Sequence, residues 1–164
     1  MSFFCCWHMN SNESDAMWKV YARTSGCAFV STIGRLKEAL LLSSQNIFLS
    51  RIEYIDFDKH AHQRTDMDVV VQDFLRKKRS FEHERELRAL VYDVTSADVN
   101  GISIAIDPEK LIDRIVVSPF ACDWLKALIQ QTTARLEYDL TVIESDARRP
   151  TPLSLSGVAG HHLS

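Results

Sequence analysis

Chain breakers are scarce in this sequence, with five glycines and four prolines among 164 residues. That scarcity excludes a glycine-rich linker and a collagen-like or low-complexity chain. Long apolar runs are also missing. None approaches the roughly 20 residues that a helix needs to cross a bilayer. The opening run Met1–His8 has no basic leader and too short an apolar stretch for a secretory signal, so a cytoplasmic location is expected. Neither charge dominates: 19 basic residues face 22 acidic ones, a net charge of −3 that gives no global field for nucleic acid. A local basic patch remains at Arg76, Lys77, Lys78 and Arg79. No CxxC spacing, GxGxxG or P-loop occurs. The four cysteines (Cys5, Cys6, Cys27, Cys122) therefore read as reduced, mostly buried thiols. Cys5 and Cys6, being adjacent on a strand, would point to opposite faces and make poor joint metal ligands.

What is present is an ordinary globular composition, 46% apolar and 25% charged, in a chain long enough for one core. Phe3 to His8 reads as a buried strand. Asn10-Ser11-Asn12 supplies a turn and an N-cap, with Glu13 and Asp15 in the first turn of a helix running to about Ala22. Cys27 to Ser31 is a second strand, and Ser31 or Thr32 caps a helix carrying Leu36, Ala39 and Leu40. Ile47 to Phe57 is a third strand, 58–65 a polar loop, and Asp66 to Lys78 a helix. Leu87 to Val94 and Gly101 to Ile106 continue the strands, and Asp107-Pro108 opens a short helix. After the strand Ile115–Val117, residues 123–136 form an amphipathic helix with Leu125, Leu128, Ile129, Thr132 and Leu136 on one face, and Leu140 to Glu144 closes the sheet. The fold class expected is α+β, with a mixed, largely antiparallel sheet of about six or seven strands and four or five helices. One domain over 1–146 and a disordered tail over 147–164 are expected.

Four clusters carry possible chemistry. Cys6 and His8 lie two apart on a strand and share a face, which is the arrangement of an activated thiol, or of a core cysteine beside a bonded histidine. Asp56, Asp58, His60 and His62 have the ligand types of a metal site, although the spacing suits a solvated loop better. Ser31 and Thr32 end a strand, where hydroxyls can bond a ligand or simply cap the next helix. Glu82, Glu84 and Glu86 alternate with Arg79, Arg85 and Arg88 ahead of an apolar strand. If that strand begins near Glu84, one face carries Glu84, Glu86, Arg88, Leu90 and Tyr92, a solvated edge or a polar pocket of paired charges. A carboxylate held ionised there can steady an oxocarbenium-like centre; equally, the charges can brace the sheet as a structural network.

Four ordered blocks carry a resemblance. They are Cys6-Trp7-His8 with Glu13-Ser14, Met17-Trp18 and Tyr21; Gly26 to Thr32 with Arg35-Leu36; Lys78 to Arg88; and Val116-Val117-Ser118-Pro119. Over about residues 3–145 the chain resembles the bacterial and phage family catalogued as domain of unknown function 2971. Members of that family carry a further N-terminal segment, which this sequence is expected to lack. A shorter resemblance links Ser31-Thr32 and Glu84-Arg85-Glu86 to ADP-ribosyltransferases. It implies NAD as substrate, Glu86 and Glu84 at the ribose, and His8 in the first-strand position; no cofactor is otherwise assigned. Ser31 and Thr32, with Arg79 and Arg88, would then shape the substrate pocket. Two functions are thus expected in turn: an NAD-consuming ADP-ribosyltransferase-like enzyme in phage defence or conflict, or a non-enzymatic interaction or antitoxin-like module with a protein partner. The transferase requires the acids to line a hollow. The interaction module requires them to be neutralised by arginine, with an exposed apolar patch at Trp7, Trp18 or Trp124.

Overall fold

Strand β6 (Glu86–Tyr92) organises the molecule from the middle of a three-stranded antiparallel sheet, with β1 (Ser2–His8) on one side and β3 (Ile47–Arg51) on the other. The computed structural model describes residues 2–60, 73–92 and 100–148. Register places Cys6 and Ser50 opposite Arg88, and Trp7 and Arg51 opposite Leu87. Alternation along a strand then gives the sheet two faces. One carries Phe4, Cys6, His8, Glu86, Arg88 and Leu90, and the other Trp7, Leu87, Leu49 and Arg51.

A second sheet holds β2 (Cys27–Val30), β7 (Arg114–Val117) and β8 (Val142–Glu144), antiparallel and then parallel. A third pairs β4 (Glu53–Ile55) with β5 (Arg76–Lys78) in parallel. The single sheet of six or seven strands is therefore corrected to three small ones, although helix and strand are mixed as expected. The division is visible at Ile52, where the chain changes partners. The Ile52 N–H donates to Glu86 O at 2.9 Å, while that of Glu53 donates to Leu75 O at 2.9 Å. Side-chain periodicity marks a strand but carries no record of which neighbour satisfies its backbone.

Local chemistry explains the helices. The first, α1 (Asp15–Met17), is capped by the Ser14 hydroxyl rather than by residues 10–12, and runs into a π-helical turn, Trp18–Ala22. Gly26 follows because a Cβ there would lie 2.6 Å from the Ala22 backbone. Thr32 caps α2 (Ile33–Leu40) by accepting from the Arg35 N–H at 3.1 Å, as expected. A short helix α3 covers Phe57–His60. Asp107 and Pro108 open α4 (Pro108–Leu111), and Arg35 reaches the carbonyls of Glu109 and Lys110 at its far end. The longest helix among the described residues is α5 (Trp124–Arg135).

Two apolar clusters form the core. Leu36, Ala39, Leu87 and Leu111 pack α2 and α4 on the apolar face of the first sheet. Ile115, Val117, Ala121, Leu125 and Val142 pack α5 on the second, and Ile112 touches both. Further expectations are corrected. Residues 76–78 are strand, and the rest of that expected helix up to 72 lies outside the described residues, as do Asp93, Val94 and the tail from 149. Residues 101–106 form no ladder among the described residues, although Ile102 and Ile104 are half-buried. Strand β1 is not wholly buried, because Phe4, Cys5, Cys6 and His8 are exposed. Cys122 is exposed too, so Cys27 alone is even partly buried. On α5, Leu125 is buried but Trp124 and Leu128 are 59% and 48% exposed. No helix among the described residues is long and apolar enough to cross a membrane.

Candidate functional site

The acidic cluster assembles around β6, but not by strand alternation alone. Glu84 ends a 3-10 helix over Arg79–Glu84, and Arg85 follows with φ 43° in the left-handed region. Only Glu86 begins the strand. Both carboxylates are buried, Glu84 to 5% and Glu86 to 3% exposure. Burying two acids without partners would be prohibitive, so the partners define the site.

Arg88 holds one oxygen of Glu86 with Nε at 2.8 Å and Nη2 at 2.7 Å, and its Nη1 donates to Phe74 O. Its guanidinium also lies 4.5 Å from the Phe4 ring centre. The Lys77 ammonium bridges the pair, donating to Glu84 Oε2 and, at 3.2 Å, to Glu86 Oε2. The Tyr21 hydroxyl donates to Glu84 at 3.1 Å. The Glu86 N–H donates to the Tyr54 hydroxyl at 2.7 Å. Two acids thus meet two cations, and among the described residues no buried side-chain N or O lacks a partner.

The electrostatics follow. Burial works to raise the Glu86 pKa, but hydrogen bonds from Cys6 and Arg88 and the Arg88 charge outweigh it, leaving the acid below its usual range. Burial likewise opposes the charge on Lys77, and its bonds to Glu84 and Glu86 overcome that and raise its pKa. Desolvation first, and then the hydrogen bond to Glu86, pushes the Cys6 thiol up to about 11. A thiol held protonated at neutral pH is the opposite of an activated nucleophile. His8 Nδ1 bonds the Glu84 carbonyl, which can only accept, so Nδ1 carries a proton. The His8 ring also packs against Tyr21, with centres 5.7 Å apart.

Other expected residues fall elsewhere. Arg79 is exposed and joins no ion pair among the described residues. The Ser31 hydroxyl donates to Leu111 O at 2.6 Å. Ser31, Thr32 and His8 do meet, in an open cleft of about 410 Å³ shared with Trp7, Met9, Arg51 and Arg85. Neither Glu84 nor Glu86 lines it. Asp56 and Asp58 lie at the start of α3, and His62 is outside the described residues. Among the described residues no three His, Cys, Asp or Glu side chains come together to hold a metal ion.

Sequence reasoning missed several members. Tyr21 and Tyr54 complete the acid cluster from other elements, and no spacing connects them to it, while Lys77 was legible only as part of the local basic patch. Arg51 was legible in part, since its place two residues after Leu49 puts both on one sheet face. Glu13 is not a first-turn acid. It accepts from Trp18 Nε1 at 2.8 Å, from the Ser145 hydroxyl and from Asp146 N at 3.0 Å, tying α1 to the chain after β8. No family model, no curated protein and no solved structure matches this chain.

Proposed function

We propose that this chain works by binding, as the non-enzymatic interaction module, and not by cleaving a glycosidic bond in NAD. One observation carries the reading: Glu84 and Glu86 are buried against Lys77 and Arg88 and have no place in the lining of the cleft that holds Ser31 and Thr32. An acid that is to steady a ribose cation must touch the sugar. Here each carboxylate already receives its charged partners, and opening Glu86 to a ligand would strand the buried Arg88 guanidinium. The second requirement of the module is also supported, because Trp124 is exposed where Trp18 is buried. An antitoxin-like half of a defence pair is one form such a module takes, and the family resemblance rests on the four sequence blocks.

The transferase reading keeps one observation in its favour, the convergence of His8, Ser31 and Thr32 in one cleft. Incubating the full chain with NAD and following nicotinamide release separates the two. The expected outcome is release no faster than in buffer. Release that exceeds buffer and disappears in Glu86→Gln, with that variant still folded by circular dichroism, would overturn the binding reading.

A further inference from the structure

The cleft beside β6 has a composition that the acid cluster does not share. Its floor is the row running across the sheet through Trp7, Leu87 and Arg51, which lie side by side in register. Arg85 enters from the turn just before β6, where its carbonyl accepts from Met9 N at 3.0 Å. Among the described residues the lining holds two arginines and His8, and no aspartate or glutamate. Neither Arg51 nor Arg85 meets a carboxylate among the described residues, whereas Arg35, Arg88 and Arg114 each do. Two guanidinium groups lining one cleft, with no carboxylate partner among the described residues, attract a multiply charged anion, and their planar forks suit phosphate oxygens. Apolar surface from Trp7, Met9 and Leu36 faces the same space. At about 410 Å³ the cleft is the size of a small-molecule site, for which roughly 300–1,000 Å³ is usual.

We propose that this cleft binds a small phosphate monoester bearing a flat ring, of the mononucleotide class, with the phosphate on Arg51 and Arg85 and the ring against Trp7 and Met9. The proposal goes beyond the binding reading and is tested independently of it. Arg85 is set in place by its backbone: a φ of 43° is costly for a residue with a Cβ and is held by the turn into β6.

The test is calorimetric titration of the full chain at low ionic strength with AMP, adenosine and inorganic phosphate. AMP is expected to bind at least ~10-fold more tightly than either of the other two, since each supplies only half of the recognition. Arg51→Ala and Arg85→Asn are each expected to weaken AMP by about 10-fold, the loss of roughly one charge-assisted contact. Asparagine is chosen at 85 because it tolerates the left-handed backbone. Arg79→Ala, outside the cleft, is expected to leave the affinity unchanged. AMP binding no better than adenosine or phosphate, or binding unmoved by both cleft variants while they remain folded, overturns the assignment. Either result leaves nicotinamide release, the readout of the binding reading itself, unaffected.

Discussion

The two faces of β6 are equally hidden but held by different forces. On one, Leu87 is 6% exposed and packs on Leu36, Ala39 and Leu111. On the other, Glu86 and Arg88 are 3% and 8% exposed and are held by each other, by Lys77 and by Phe4. The apolar face is indifferent to protonation and forgiving of shape, because dispersion and burial have no direction. The polar face works only as a complete set, since its gain is the cancellation of desolvation that each charge suffers alone. This difference bears directly on function. A group that must remain paired for the strand to stay buried is poorly placed to turn towards a substrate.

The sharpest way to break the comparison is to remove one charge and then both. Arg88→Ala leaves Glu86 buried with Lys77 as its one remaining cation and is expected to cost about 3–5 kcal/mol. The double replacement Glu86→Leu with Arg88→Met removes the pair for apolar groups and is expected to lie within about 2 kcal/mol of the native chain. Equilibrium denaturation in urea reads both. A double variant as unstable as the single one would mean that the polar face contributes stability of its own and does not merely avoid a penalty.

Acid and alkali give a smaller and smoother separation. Glu86 has its pKa lowered in the folded state, so its stabilisation is present above the unfolded value, about 4.3, and is lost as pH falls through the folded one. Glu13 acts in the same direction: burial raises its pKa, but bonds from Ser145, Asp146 and Trp18 lower it further. Lys77 is raised, so its part is present below about 10.4 and is lost as pH climbs through its folded value. The Cys6 thiol, raised to about 11, loses its part as pH climbs from its unfolded value of about 8.5, so the urea midpoint is expected to be flat from about 4.3 to about 8.5 and to fall on both sides. Leu87→Ala should lower the whole curve without changing its shape, whereas the Glu86→Leu, Arg88→Met pair should flatten the acid limb. An unchanged acid limb in the double variant would remove Glu86 from the account.

The same contrast explains what was legible in the sequence. The apolar half was readable because period two and period 3.6 leave a local record: Leu87 on a strand, Leu36 and Ala39 on a helix capped by Thr32, Asp107-Pro108 at a helix start. The polar half was readable only as a collection of charges. Glu86 and Arg88 are two apart and their pairing follows from alternation, but Lys77 meets them through the turn of the 3-10 helix, and Tyr21 and Tyr54 come from other elements. Sheet membership was lost for a related reason. Ile47 to Phe57 reads as one strand, because the switch of backbone partners between Ile52 and Glu53 leaves the side chains no signature. The cleft arginines lie on the readable side of this divide, but nothing in their spacing said that acids would be missing around them.

The smallest effect is expected at Arg79, and it separates charge near the network from charge within it. In the sequence Arg79 stands beside Lys78 and three residues ahead of Glu82, so it has the same claim on the acids as Lys77. In the fold it opens the 3-10 helix with its side chain in solvent, while Lys77 turns inwards from β5. Solvent screening leaves such a charge almost nothing to contribute. Arg79→Ala is expected to shift stability by less than about 0.5 kcal/mol in urea denaturation, with no change in the acid limb. A loss approaching that of Arg88→Ala would show that the network extends to the surface, and the division between a sealed polar face and a solvated rim would have to be redrawn around residue 79.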